Sequence, residues 1–398
     1  MRIARRALAA GPGRRAAPLR GLPVLRGLPA LPKLAVLLGL AVLLPGLAAC
    51  SGPGPASSGA GSLAVTCQDN SGDAARITAV IGRSRPGATI AIGAGTCLLT
   101  SSIVLPGDRT YAGGSSTGTV LRQGAAMASV LTSSAYAGNS ASTGDPLQIR
   151  DLTVDCAGSG HTDGIVIMNW QVRVDQVDVH GCGGSGIVDT SVAEDGKPIT
   201  GTSVNSRFED NFISDSGQYG FAVIDPGNAV TDGYFTDNQI ADSGSDGVYL
   251  QNSAGWNICG NHLYGDRGDG IAAGRLYGTT ICSNYIEDFG VGQRSGTWYG
   301  ITGTVQGGPG SVLLGNKTFN LAGEQGGAGH RYIAVTTAGG AGHLSVYANV
   351  IATVARADQA FYFNGTPHSL VVAAAANQVS GPGVRQVVAG QVSVGSGS

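Results

Sequence analysis

Two aspartates carry the sharpest chemical signal in the sequence. Asp246 and Asp269 stand 23 residues apart, each in an Asp-Gly pair directly before a short β-rich run, GVYLQN at 247–252 and GIAAGR at 270–275. Two carboxyls brought side by side cannot both ionise cheaply, so their pKa values split into an acid and a base. Asp-Gly before a strand is also ordinary turn chemistry, and the sequence leaves both roles open. Around the same runs stand Asp225, Tyr249, Arg275, Trp298 and Tyr299, types that hold polar ligands through ring faces and guanidinium hydrogen bonds. A further acidic series, Asp215, Asp242, Asp266 and Asp288, follows a recurring Asn. Stacked together, these four would repel unless each caps a turn amide or all share a cation. Calcium, an oxygen-seeking ion, is the cofactor that such a series would take. Of the 22 Asp, 18 lie between 145 and 288, so a site belongs in that stretch.

The elements that must position these residues are short and repetitive. Gly makes up 66 of 398 residues without a Gly-X-Y period, and only 13% of residues are charged. That composition excludes collagen, coiled coils and long helical bundles, and 42% hydrophobic content excludes a mostly disordered chain. From residue 203 onward an Asn recurs after a β-like run, at Asn211, Asn238, Asn261, Asn284, Asn316, Asn349 and Asn377, with spacings of 23 to 33 residues. Gly-led runs recur in step: GIVIMN at 164–169, GIVDTS at 186–191, GFAVID at 220–225, then GVYLQN, GIAAGR and GITGTV at 300–305. A period in this range predicts a solenoid of about three short strands per coil. Ile165, Ile187, Phe221, Val248, Ile271 and Ile301 would stack inside it. No window sustains helical periodicity over ten residues, which excludes helical repeats. Asn tolerates left-handed backbone angles, so the Asn column marks sharp turns whose amides bond from coil to coil.

With these motifs the chain resembles a right-handed parallel β-helix of the pectin-lyase-like superfamily. The segment DNSGDAARITAVIGRSRPGATIAIGAGTCLLTSSIVLP at 69–106 is similar to that family's opening, in which a short helix covers the first coil. Asp69 to Ser71 supply the expected cap residues and Ala74 to Ile81 the helix. The resemblance implies one all-β domain over 63–398, and a site on one exposed sheet and its flanking turns, where polysaccharide-active members work. There the Asp246/Asp269 pair would sit in adjacent coils, about 5 Å apart in backbone, and could serve as the two carboxyls of glycoside hydrolysis. His161-Thr162-Asp163-Gly164 resembles the polygalacturonase motif Asn-Thr-Asp-Gly, but the paired Asp of the next coil and the Gly-His-Gly beyond it are missing. QYGFAVIDPGN at 218–228 is similar in part to the Tyr-Gly-Asp-Pro-His run of alginate epimerases, without its His. Neither activity is carried over.

Coils of this length also place Cys156 one repeat from Cys182 and Cys259 one repeat from Cys282, so that each of these pairs could join neighbouring coils, while Cys67–Cys97 would tie the capping helix to the first coil. Other pairings stay open. None of these six has zinc-site spacing, and an oxidising compartment would pair them.

The start of the chain reads as an address. Residues 1–49 hold seven Arg, one Lys and no acid, then the apolar run from Leu34 and the sequence Leu47-Ala48-Ala49-Cys50. This order is that of a secretory signal, and the last four residues resemble a bacterial lipobox, which implies lipidation of Cys50. Residues 50–62, rich in Gly, Ser, Pro and Ala, form a flexible tether. The expected location is the outer face of the bacterial cell membrane, contacted through the lipid anchor alone. Beyond residue 49, 16 basic residues face 26 acidic ones, a net charge of −10 that excludes nucleic acid as a partner. The expected partner is a polysaccharide or other glycan. Two functions remain: a polysaccharide hydrolase or lyase, or a non-catalytic glycan-binding or structural β-helix.

Overall fold

The computed structural model describes residues 61–396 apart from 159, 324 and 325. The expected signal segment, Cys50 and nearly all of the expected tether lie outside the described residues. The remainder is a right-handed parallel β-helix in which 31 strands join one continuous sheet through parallel ladders. Three ladders run along the solenoid. The one that matters most here stacks Asp163–Ile167, Ile187–Thr190, Phe221–Ile224, Val248–Leu250, Ile271–Leu276 and Thr297–Val305. Its register puts Ile165, Ile187, Phe221, Val248, Ile271 and Ile301 in one line. All six are fully buried, as the alternation of the Gly-led runs predicts. Phe221 and Phe235 stack at 4.4 Å across the interior.

The Asn column is a hydrogen-bonded ladder between the other two sheet faces. Asn238 Oδ1 accepts from the backbone N–H and the side-chain amide of Asn211, while Asn238 Nδ2 donates to Phe208 O and to Asn261 Oδ1. The same pattern continues through Asn261, Asn284, Asn316 and Asn349 to Asn377. Each turn amide is thus satisfied in the dry core, where an unpaired polar group would be costly.

The opening helix spans Asp73–Arg83 and buries Ala74, Ile77, Val80 and Ile81 over the first coils. Its cap differs from the expectation. Gly72 is the N-cap residue and makes no side-chain cap bond. Asp73 instead accepts the N–H groups of Gln68, Asn70 and Leu98, which ties the helix start to the first coil. Burial works against that charge, but these N–H donors and Arg76 outweigh it and hold the Asp73 carboxyl below its ordinary pKa. The three expected disulfides, Cys67–Cys97, Cys156–Cys182 and Cys259–Cys282, are all present, with Cα separations of 4.5, 4.7 and 4.5 Å. At the opposite end, the strand Val384–Gly395 closes the described coils and leaves Val384, Val388 and Val394 exposed.

Candidate active site on the acidic edge of one sheet

The turn that leads into the Gly-led ladder brings one residue from each coil to the same edge. Backbone bonds from Gly220 to Asp246 O, Gly247 to Asp269 O and Gly270 to Tyr299 O set the order Tyr219, Asp246, Asp269, Tyr299 along that edge. Asp163 and Ser185 precede them in the same column, since Gly164 bonds Ser185 O and Gly186 bonds Tyr219 O. The Gly that follows each of these residues is required. A Cβ on Gly247 would lie 2.4 Å from Asp266 Oδ2, and one on Gly270 would meet Ile286 at 2.6 Å.

Asp246 and Asp269 therefore do sit in adjacent coils. Each also caps the next coil: Asp246 Oδ1 accepts the Asp269 N–H at 2.8 Å, and Asp269 Oδ1 accepts the Tyr299 N–H at 2.9 Å. Both are half-buried, less open than the exposed sheet that the family resemblance implies. Burial raises Asp246 from 3.8 to about 6 despite its N–H donor. Burial and then the charge of Asp246 raise Asp269 to about 8. Near neutral pH the pair thus holds one acid and one base, and the turn-capping role is filled at the same time. The ring of Tyr219 stacks on Tyr249 at 4.5 Å with 10° between planes. Both hydroxyls are shifted upward by burial and then by the nearby Asp246 charge.

Other expected site residues are placed differently. Asp225 is fully buried, and its carboxylate is occupied by Ser191 Oγ, Ser253 Oγ and the N–H groups of Ala229 and Val230. It organises a turn and does not face a ligand. Arg275 lies six residues beyond Asp269, on the order of 15–20 Å along the strand direction, with its guanidinium 4.9 Å over Tyr277. It does not share the edge with the acids, because the strand Ile271–Leu276 carries it to the far side of the sheet face. Trp298, at the start of the strand Thr297–Val305, packs against the core and Gly290 and donates to Ser295 O in the preceding turn. Tyr299 remains on the acidic edge.

The acidic series does not form one column. Asp215, Asp242 and Asp288 share a left-handed turn position, but Gly265 occupies it in the intervening coil. Asp266 is one residue further on, fully buried, and accepts the Ser243 N–H at 3.2 Å. Burial pushes its carboxyl well above the ordinary range. The sequence spacing hid this one-residue offset. Among the described residues no group of three or more His, Cys, Asp or Glu is arranged to hold a metal ion, so the residues present do not fit the expected calcium site.

The structure adds two features. Arg331 follows Tyr299 on the same edge, 3.6 Å over the ring of Tyr362 and bonded to Gln359. Its strand, Gly329–Thr337, has Tyr332 where the other strands have Gly, so the Gly-led pattern could not align it. Upstream, Asp163, Ser185 and Tyr219 border a hollow of about 220 Å³ closed by Tyr136 from the short helix Ser134–Ala137. Tyr136 has no spacing relation to the repeat and gave no signal in the sequence. A hollow of about 310 Å³ at the C-terminal end, lined by Phe361, Phe363 and Arg385, contains no acid.

Residues 147–351, just over half of the chain, match the family described as the right handed beta helix region, and the chain belongs to that family. No curated protein matches the sequence. Among solved structures the chain is similar to the A-module of a mannuronan C-5 epimerase from Azotobacter vinelandii, at 14% identity and a TM-score of 0.54 over 82% of this chain and 96% of that one. It is similar to an alginate lyase from a Paenibacillus species at 14% identity and 0.52, covering 83% and 99%. It also resembles the N-terminal fragment of gene product 12 of bacteriophage Phi29 at 13% identity and 0.54, covering 80% and 62%. At these identities the likeness shows the fold.

Proposed function

We propose that this protein acts on polysaccharide, as a glycoside hydrolase or polysaccharide lyase, with Asp246 and Asp269 as its acid and base. The observation that carries this reading is their placement in adjacent coils, with pKa values of about 6 and about 8 set by burial and, for Asp269, also by the charge of Asp246. Such a pair supplies a proton donor to a leaving oxygen and an acceptor for a water or a ring proton at neutral pH. Tyr219 and Tyr299 on the same edge, with Tyr249 stacked on Tyr219, offer ring faces and hydroxyls to a sugar chain. The epimerase and lyase named among the similar structures support a glycan as the partner. In the same proposal the lipobox-like Cys50 anchors the protein to the outer face of the cell membrane.

A second reading rests on a specific observation: the Oδ1 atoms of both aspartates already accept backbone N–H groups, as pure turn caps would. On that reading the β-helix binds glycan without turning it over. The two readings separate in a panel assay of the full chain, purified in detergent, against neutral and uronate polysaccharides. New reducing ends report hydrolysis, and ultraviolet absorbance of an unsaturated uronate reports elimination. Turnover that disappears in Asp246→Asn and Asp269→Asn supports the enzyme, whereas binding without turnover on every substrate supports the second reading.

A further inference from the structure

The hollow bordered by Asp163 and Tyr219 is a built pocket rather than a surface crease. Its floor is the outward face of the Gly-led ladder, at Val166 and Val188. Tyr136 and Tyr219, the latter stacked on Tyr249, border it. Val192 and Ala193 form a side wall, on a loop pinned by the Val192–Pro198 bridge and by the bond from Ala193 N–H to Lys197 O. At about 220 Å³ it exceeds the roughly 150 Å³ of a cavity that admits a benzene ring, and so has room for one six-membered ring with its substituents.

The chemistry of the lining is selective. Ser185, Gln218 and the hydroxyls of Tyr136 and Tyr219 make no side-chain hydrogen bond among the described residues. Asp163 uses only Oδ1, which accepts the Ser185 N–H at 2.6 Å. These groups converge over an apolar floor, the arrangement that suits a ring with hydroxyls at its rim and C–H bonds on its face. No Lys, Arg or His lines the pocket. The lysine of the wall loop, Lys197, is exposed and paired with Asp195 at 2.5 Å. Burial raises Asp163, and the Tyr136 hydroxyl is raised by burial and then by the charges of Glu194 and Asp163. With no basic side chain in the lining and only the acids Glu194 and Asp163 near Tyr136, an anionic ring would enter without a counter-charge.

We propose that this pocket binds a single uncharged pyranose, the end residue of a glycan whose chain continues past Tyr219 toward Asp246 and Asp269. Uronates are excluded. The proposal rests on the glycan reading above for the direction of the chain, and it deepens that reading. Where the chain that follows is neutral as well, it has no carboxylate to promote elimination, and the chemistry at the acidic edge is hydrolysis.

The test is saturation-transfer NMR on the full chain in detergent, with methyl α-glucoside, methyl α-mannoside and methyl α-galactoside as probes beside methyl glycosides of glucuronate and galacturonate. At least one neutral glycoside is expected to bind with a dissociation constant of about 1–10 mM, and the uronates at least about tenfold more weakly. Val188→Phe, which fills the floor, should abolish that signal. Gln218→Arg, at an exposed rim position, leaves the fold intact and should raise uronate affinity by about tenfold. The proposal is overturned by uronates binding as tightly as neutral sugars, by binding that survives in a folded Val188→Phe protein, or by no neutral glycoside binding at about 100 mM, far above the expected constant. A Gln218→Arg protein with unchanged selectivity also counts against it. Turnover by the Asp246 and Asp269 variants bears on the catalytic reading alone, so the two fail separately.

Discussion

Replacing Asp269 with Asn should make this protein more stable at neutral pH while removing its activity. Asn keeps an oxygen where Asp269 Oδ1 accepts the Tyr299 N–H, so the turn cap survives and only the ionisable proton is lost. In the wild type the folded carboxyl titrates at about 8 against an ordinary value of 3.8. The folded state then binds this proton more tightly than the unfolded chain does. Its stabilising contribution is complete below about pH 4 and is lost progressively as pH rises toward 8. With those two values, the ionisation open to the unfolded chain but not to the folded one costs the wild type on the order of 4 kcal/mol of stability at pH 7. Asp246, raised to about 6, Asp163 and Asp266 push in the same direction, so the informative quantity is the difference between variant and wild type. Urea unfolding followed by circular dichroism at pH 4, 5.5, 7 and 8 measures it. The variant should match the wild type at pH 4 and exceed it increasingly from pH 5.5 upward. A difference that is constant across this range, or a variant that is less stable at pH 7, would refute the argument that burial holds this carboxyl protonated.

Three further outcomes follow from the same structure. Asn261→Ala removes four buried hydrogen bonds, to Asn238 N and Nδ2, Phe235 O and Asn284 Oδ1. It should cost about 2–6 kcal/mol in chemical denaturation, and Asn377→Ala, at the partly exposed end of the ladder, less than half of that. Asp189 points into the core with no well-formed hydrogen bond to either carboxyl oxygen, and burial, then the charge of Asp225, push its pKa far upward against the weak pull of Ser206 and the Thr190 N–H. Asp189→Leu should therefore stabilise the fold by about 1–3 kcal/mol at pH 7, read as a rise in melting temperature. Cys50→Ala should move the protein from the membrane fraction to the soluble fraction, as immunoblotting of fractionated cells would show, and an unchanged distribution would remove the lipid anchor from the proposal.

The fold was legible because its determinants repeat. The Asn column and the Gly-led strands announce themselves in every coil, and each has a local physical reason, a left-handed turn or an alternating strand, that survives without tertiary information. The cysteine pairs were legible for the same reason, since one coil of spacing places them side by side. The site was less so. Asp246 and Asp269 share a column because an identical Asp-Gly precedes both strands, yet their burial depends on neighbouring coils that the local sequence does not reveal. Asp225 and Asn252 look alike in sequence as polar residues ending a strand, but only Asp225 gathers four donors. Asp266 resembled a member of the acidic series because the shift that makes Gly265 take the shared position is a single residue. Arg331 and Tyr136 were illegible: one follows a coil without the marker Gly, and the other reaches the site from a helix outside the repeat.

The central claim is that Asp246 and Asp269 act as an acid and base pair, and the pH dependence of kcat/KM on a turned-over polysaccharide tests it most directly. The pair predicts a bell-shaped profile with limbs near pH 6 and pH 8, and loss of turnover in both Asp246→Asn and Asp269→Asn. A profile that stays flat between pH 5 and 9, or turnover that persists in both variants, would contradict it.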